Sequence, residues 1–326
     1  MHNSHIKNIV NILKCVKCGY EKIFFLGDHL KCKKCKKKYN IIEGVPILLV
    51  DNFSFIKKNS KNLFEKKYNI ENLCKKNSQG LYKYVCKFIP STSGFLYKEK
   101  YLKNGFFKTY PIPIIDLPKA KPKRNKFLDL GCGRGRWVFS AAKKKYFAIG
   151  VDANINFLIL ANRIAKEKNY NSFFIMADIK KLPFKKESFD IVFSYSVIQH
   201  FSFVNISKIL REVIPILKKR GVFKFQTMNF FGIRNQYYLL KKLYKKPQGF
   251  DVHYYSIKFM KKLLKSFFSF VKVENCSFFT QARSEDLSHF NFNGKILIFV
   301  TQIFNFIFRY FKNFSDNIYF ICKKKA

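Results

Sequence analysis

From residue 126 onward, apolar positions fall into short runs separated by stretches with helical spacing. The runs predict strands at 127–130, 146–151, 172–176, 191–194, 222–227, 270–279 and 317–322. The stretches between them predict helices at 137–144, 154–168, 203–218 and 256–267, the last with Ser256 as its N-cap. Strand and helix alternate, which is the pattern of an open α/β sheet with helices on both faces. Two intervals break the alternation and read as insertions. One is 229–251, rich in Tyr and Lys, and His253, Tyr254 and Tyr255 follow it as either substrate contacts or packing before the next helix. The other is 281–315, which holds an apolar stretch at 296–308 interrupted by Thr, Gln and Asn. That stretch is short of the roughly 20 residues that span a bilayer. It suits a helix over the active site, a contact between two copies, or a helix lying on a membrane surface, and packing is the preferred expectation.

The chain ahead of residue 126 is patterned differently. Cys15-x-x-Cys18 and Cys32-x-x-Cys35 are separated by thirteen residues. Each pair lets two thiolates reach one ion from one tight turn, so the four cysteines read as a structural zinc site with no open position for substrate. Gly19 suits the first turn, and the neighbouring lysines favour thiolates. Residues 39–50 complete this unit as a hairpin closing on an apolar strand. So small a unit cannot bury enough surface alone, and the metal supplies the missing stability. Residues 53–125 are expected to form a helical linker or lid, with helices near 57–68 and 81–89. Tyr97, Tyr101 and Phe106 are candidates to line it, though packing is the preferred role, and Cys74 and Cys86 read as buried thiols. The expected domains are 1–52, 53–125 and 126–326.

Composition changes the picture in two ways. Aromatics at 18% and apolar residues at 48% exclude a disordered chain. A formal net charge of +43, from 63 basic and 20 acidic residues, favours polyanionic partners such as RNA or an anionic membrane surface. Part of the excess is a compositional skew, since only nine of the basic residues are Arg. Residues 1–50 carry ten Lys against Glu21, Asp28 and Glu43, so the cysteine unit is itself basic. Residues 1–14 are polar and mixed, and cysteines in CxxC pairs suit a reducing compartment. The expected location is cytoplasmic, with peripheral membrane contact left open.

The stretch that carries the chemistry is 126–152, KFLDLGCGRGRWVFSAAKKKYFAIGVD. Gly131, Gly133 and Gly135 let backbone approach a ligand where a strand turns into a helix. Asp129, two residues before the first glycine, suits a ligand with a positive amino group better than a pyrophosphate. Asp152 ends the second strand, where an acid can accept ribose hydroxyls. At these residues the sequence resembles the class I S-adenosylmethionine-dependent methyltransferases, and the resemblance extends over about 127–325. It implies a Rossmann-like seven-stranded sheet and S-adenosyl-L-methionine as cofactor. It also implies cofactor contacts from Asp129, Gly131, Cys132, Gly133, Gly135, Asp152 and Ala153. Asp178 and Ile179 are implied at the adenine, and Ser194 and Tyr195 at the end of the fourth strand. His200 borders the methyl-transfer site by the same resemblance, and reads either as a general base or as a residue shaping the pocket.

The cysteine unit resembles the zinc ribbons that precede many bacterial methyltransferases, including ribosomal RNA methyltransferases, and small zinc-binding proteins that activate tRNA and protein methyltransferases. The acceptor is not read from these residues. A small-molecule, glycan or lipid-like acceptor is the first expectation, and RNA reached through a basic ribbon is the second. A non-catalytic methyltransferase fold serving as a scaffold is the third. Ser194-Tyr195-Ser196-Val197 stands where many base N-methyltransferases have an Asn-Pro-Pro-Tyr-type motif, which weakens the base-amine reading.

Overall fold

The structure, a computed structural model, describes residues 9–50, 99–103, 110, 112–117, 125–277, 284–307 and 310–324. The helices expected at 57–68 and 81–89, and Cys74, Cys86, Tyr97 and Phe106, lie outside the described residues. A small four-stranded antiparallel sheet comes first: β1 (Ile23–Phe25), β2 (His29–Cys32), β3 (Lys38–Ile42) and β4 (Val45–Pro46).

The larger unit alternates as expected. It runs β5 (Lys126–Leu130), α1 (Arg136–Lys143), β6 (Phe147–Asp152), α2 (Ile155–Glu167), β7 (Ser172–Met176), β8 (Phe189–Tyr195), α3 (Phe203–Ile216) and β9 (Leu217–Met228). It continues with α4 (Ile233–Lys241), α5 (Ile257–Phe267), β10 (Phe270–Ser277), α6 (Phe292–Ile307) and β11 (Asn317–Lys323). The seven strands lie in the order β10-β11-β9-β8-β5-β6-β7. β11 is antiparallel to both neighbours, and the pairs from β9 to β7 are parallel. All five residues of β7 are buried, as expected of a strand covered on both faces. Alternate residues of β5 feed opposite clusters. Leu128 and Leu130 pack with α3 and α5 residues such as Ile209 and Leu264, and Phe127 packs with α1 and α2 residues such as Phe139 and Leu158.

Local chemistry sets several helix starts. The Asn154 side chain accepts from the N–H groups of Asn156 and Phe157 to open α2, and Ser256 Oγ accepts from Phe259 N–H at 3.2 Å to open α5. Asp190 binds Lys126 N–H at 2.7 Å and the Lys218 ammonium at 2.8 Å, a structural role at the start of β8.

Three features depart from or add to the expectations. The helix expected over 203–218 ends at Ile216, and β9 starts at Leu217 rather than at residue 222. Leu217 pairs with Phe189, and the register shifts before Ile191 pairs with Val222. Arg220, with φ of 60°, absorbs the irregularity that sequence reads as a turn. The second concerns the cysteine unit, which packs into the main core. Leu13, Cys15, Leu30 and Tyr39 join the same cluster as Leu130, Val151, Ile175 and Ala177 of the main sheet. Ile47 forms a parallel bridge with Met176, Leu48 N–H donates to the Met176 carbonyl at 2.8 Å, and Glu43 pairs with Arg163 of α2. The third is α6. It starts at Phe292, and packing accounts for one narrow side of it, with only Gly294, Ile298 and Thr301 buried. No helix among the described residues is long and apolar enough to cross a membrane.

Candidate functional site

The glycine turn leaves β5 against the end of β6. Gly131 and Cys132 both donate backbone N–H bonds to the Val151 carbonyl, at 2.8 and 3.0 Å. Gly131 and Gly133 hold φ of 73° and 52°. A Cβ at Gly131 would come within 2.4 Å of a Val197 methyl, whereas one at Gly133 would enter open space. The turn is therefore closed beneath Gly131 and open above Gly133. The Cys132 side chain packs inward, with its sulfur where a Cβ at Gly150 would fall.

Asp129 is the unusual group. It is 1% exposed, and neither of its carboxylate oxygens has a hydrogen-bond partner. Burial, and then the neighbouring charge of Asp152, push its carboxyl well above the usual carboxylate range. A buried carboxylate without a partner is costly, and a cationic group delivered from outside would satisfy it. Asp152 is half-buried, and burial raises its carboxyl as well. Hydrogen bonds from the backbone oppose that rise, with Oδ2 accepting from Gly133 N–H at 2.8 Å and Oδ1 from Asn154 N–H at 2.9 Å. Ala153 adds a third backbone hydrogen bond, so one lone pair of the carboxylate remains for a hydroxyl donor. Ala153 continues the turn from Asp152 into the cap of α2. The Ala177 N–H donates to the Asp152 carbonyl at 3.2 Å and brings the end of β7 alongside. Asp178 there is half-exposed, with Oδ1 on Lys180 N–H at 2.9 Å, and Ile179 is buried beside it.

Asp129, Gly131, Gly133, Asp152 and Asp178 thus lie along the ends of three adjacent strands, β5, β6 and β7. The donor set fits S-adenosylmethionine, and the resemblance would put its ammonium at Asp129, its ribose diol at Asp152 and its adenine at Asp178 with Ile179. Ser194 does not face this cradle. It is fully buried, and its Oγ donates to the Leu130 carbonyl at 3.0 Å, tying β8 to β5.

Beyond β8 the lining becomes aromatic. The Tyr195 ring lies 4.9 Å from Trp137 and 6.4 Å from Tyr319. His200 stacks on Phe250 at 4.0 Å, and its Nδ1 lies 2.9 Å from the Phe250 carbonyl. Donation to that carbonyl makes Nε2 the acceptor nitrogen. Burial pulls its pKa below the ordinary value of 6.5, against hydrogen bonds to the Phe250 and Asp251 backbone, so the imidazole is neutral at pH 7.

Sequence reasoning missed the groups that hold this end in place. Ser196, with φ of 56°, donates its N–H and its hydroxyl to Gln226 Oε1 at 2.9 and 2.8 Å. Gln226 donates in turn to Asn317 Oδ1 at 2.8 Å. Asp316 accepts from the N–H groups of Arg234 and Asn235 at the start of α4, with Arg234 Nε 3.6 Å from its other oxygen. Burial pushes the Asp316 carboxyl up to about 6. The available signal was Lys224 and Gln226 at alternate positions between the apolar residues Val222, Phe223 and Phe225.

The four cysteines converge. Their sulfurs all lie within 4.8 Å of one another, with Cys15 and Cys35 at 3.6 Å and Cys18 and Cys32 at 3.7 Å. Thiolates on one tetrahedral zinc stand about 3.8 Å apart, so the cluster has the dimensions of such a site. The buried Tyr39 hydroxyl lies 3.0 Å from Cys15 Sγ.

Comparison with known proteins agrees with this arrangement. The family model described as a methyltransferase domain matches residues 121–294. The uncharacterized protein MJ1252 of Methanocaldococcus jannaschii is 30% identical over 172 residues, 52% of this chain and 59% of that protein. The ubiquinone biosynthesis O-methyltransferase of Pelagibacter ubique is 27% identical over 164 residues, 48% of this chain and 65% of that protein. The chain therefore spans less than two thirds of the length of either relative. The solved structure of the Bacillus subtilis YcgJ protein aligns with a TM-score of 0.45 at 19% identity, over 64% of this chain and 95% of that one. With the family model matching more than half of its length, and with its glycine turn, strand-end acids and strand order, the chain belongs to the class I S-adenosylmethionine-dependent methyltransferase family.

Proposed function

We propose that this chain transfers the methyl group of S-adenosylmethionine to a small-molecule or lipid-like acceptor, and that a structural zinc ion ties Cys15, Cys18, Cys32 and Cys35. The observation that carries the cofactor reading is the buried, unpartnered Asp129 carboxylate beneath the glycine turn. The sulfonium makes the methyl electrophilic, so the chemistry supplied is an in-line displacement. The chain's own task is alignment and exclusion of water. Asp129 and Asp152 fix the two ends of the ligand. Ser194 and the Ser196–Gln226–Asn317 relay hold the end of β8 in register. Trp137, Tyr195 and Tyr319 form an aromatic group on the side assigned to the acceptor, with the Lys224 ammonium 5.0 Å from the Tyr319 ring. The neutral His200 takes the proton of a hydroxyl acceptor through Nε2.

The aromatic lining favours an apolar acceptor, and the relative named for ubiquinone biosynthesis O-methylation is consistent with one. The ribbon bonds to β7 at one edge of the sheet, three strands from β8 and five from β11, where Tyr195 and Tyr319 lie. That placement speaks against RNA presented to the methyl by the ribbon. The test is calorimetry with S-adenosylmethionine and its demethylated product, followed by transfer of labelled methyl to a lipid extract or to total RNA from the same cells. Cofactor binding that Asp152→Ala abolishes, with label in the lipid extract, is the expected result. Label in RNA would replace the acceptor reading, and absence of cofactor binding would leave a scaffold.

A further inference from the structure

The outward side of α6 is covered with large apolar groups. Phe292, Phe299 and Phe306 are 77%, 63% and 65% exposed, with Ile296, Ile303 and Ile307 beside them. Tyr310, Phe311 and Phe314, which follow in the chain before β11, are 73%, 54% and 52% exposed. Monomeric proteins rarely leave an apolar surface of this extent in water. Sixteen residues make a rod of about 24 Å, and Lys295 is its only charged residue. The helix does not qualify as a membrane span, so the natural pose for its apolar side is flat against a surface.

Charge decides which surface. Next to Phe311, Lys312 lines an open groove of about 400 Å³ with Lys261 and Lys272, and Phe270 stands at its side. Lys272 is held by Glu274 at 2.8 Å. Neither Lys261 nor Lys312 has an ion pair among the described residues. A second copy of the chain would bring a net charge of +43 against its equal. A nucleic acid would answer the charge, but it would leave the aliphatic Ile296, Ile303 and Ile307 against water. A bilayer with anionic headgroups answers both. Aromatic and aliphatic side chains enter the boundary between headgroup and acyl chain, and lysines reach outward to phosphate.

We propose that α6 and residues 310–314 dock this protein on an anionic lipid bilayer. The helix lies in the plane of the interface, and the groove of Lys261, Lys272 and Lys312 receives a lipid headgroup. The docking stands apart from the methyl-transfer reading, yet it bears on it. On its inner side α6 contributes Leu297 and Ile298 to the apolar cluster that includes Trp137 and Tyr195, so the surface facing the lipid and the acceptor side share one packing unit.

The test is flotation of the full chain with phosphatidylcholine vesicles, with and without added phosphatidylglycerol. Binding to the anionic vesicles should be at least about tenfold tighter and should weaken with salt. Phe299→Asp with Phe306→Asp, both on the exposed side, should abolish flotation and leave cofactor affinity unchanged. Lys261→Gln with Lys312→Gln should weaken anionic binding by about fivefold per lysine and flatten the salt dependence. Equal binding to neutral vesicles, or none to either, would overturn the proposal. So would a dimer that the Phe299/Phe306 variant splits in the ultracentrifuge, or a variant that loses RNA binding while vesicle binding stays intact.

Discussion

Two segments are added to the seven-stranded sheet, and they solve the same problem in opposite ways. The cysteine unit and the α6 segment both carry many large apolar residues. The cysteine unit buries part of its apolar surface in the sheet's own core, although Phe24, Leu26, Ile42 and Val50 stay exposed. Leu13, Leu30 and Leu48 are at most 1% exposed, Leu48 N–H is bonded to the end of β7, and Glu43 is paired with Arg163. The α6 segment buries three residues of sixteen and leaves its phenylalanines outside. Apolar content does not separate the two cases. We attribute the difference to the proposed zinc staple, whose four sulfurs lie within 4.8 Å of one another in a unit whose strand end pairs with β7.

The largest effect should come from removing that staple. The ribbon's last strand runs on through Ile47 and Leu48 to Met176, two residues before Asp178. Losing the metal, or changing Cys32 to Ser, should therefore loosen the adenine end of the cofactor site as well as the ribbon. Metal affinity in small zinc units is folding energy, on the order of 10 kcal/mol, so the ribbon should melt outright. We expect S-adenosylmethionine affinity to drop at least about tenfold in calorimetry. Unchanged affinity beside a melted ribbon would show that the two units are joined in space but independent in energy.

Next is Asp129→Asn, which separates binding from stability. An unpaired buried carboxylate costs a few kcal/mol. Its loss should abolish cofactor binding while raising the melting temperature of the free chain by about 2–4 °C. The pH sign follows from linkage. A carboxyl raised above its unfolded value holds its proton more tightly in the folded chain. The stability it contributes is full below about 3.8 and is lost as pH rises through the folded pKa. Asp316, pushed to about 6, should give the same loss between about pH 4 and 6, and Asp316→Asn should flatten it. Cofactor binding that needs the Asp129 carboxylate should release a proton and tighten as pH rises. A chain whose stability climbs over that window would contradict the burial of both acids.

Within α6 the contrast can be read from neighbours. Ile298 is fully buried, and Ile298→Ala should cost about 2–4 kcal/mol in denaturant unfolding. Phe299, 63% exposed, should tolerate Asp within about 0.5 kcal/mol. A large loss at Phe299 would mean that the face is covered within the chain itself.

How much of this was legible in sequence depended on whether a feature was local. The glycine turn, Asp152 at its strand end, Ser256 as a cap and the two CxxC pairs each act within a few residues, and the structure places them as their spacing implied. β7 was read to the residue, because a continuous apolar run needs no partner to be recognised. The early start of β9 was hidden, since Lys219-Arg220-Gly221 has turn chemistry and only pairing of Leu217 with Phe189 holds it in the sheet. Asp316 was hidden for the same reason. Its bonds go to Arg234 and Asn235, about eighty residues away, and nothing in the local run of Ser315-Asp316-Asn317 announces them. The ribbon's attachment to β7 was missed because a zinc ribbon looks self-sufficient, while this one ends in Ile47, Leu48 and Leu49, an apolar tail that needed a host.

The smallest expected effect tests whether that attachment is carried by packing or by charge. Glu43 meets Arg163 through two hydrogen bonds, Oε2 at 2.8 Å from Nε and Oε1 at 2.5 Å from Nη2. The side chains are 36% and 23% exposed, so solvent screens the pair, and Glu43→Gln should cost less than about 1 kcal/mol. Ile47→Ala on the same connection should cost more, about 2–4 kcal/mol, because Ile47 is 4% exposed. If thermal unfolding ranks them in that order, and salt affects neither strongly, the ribbon is held by its apolar tail. The reverse order, with Glu43→Gln the costlier and its effect erased by salt, would make the junction electrostatic. It would then resemble the proposed contact of the α6 segment with a charged surface rather than the core of a domain.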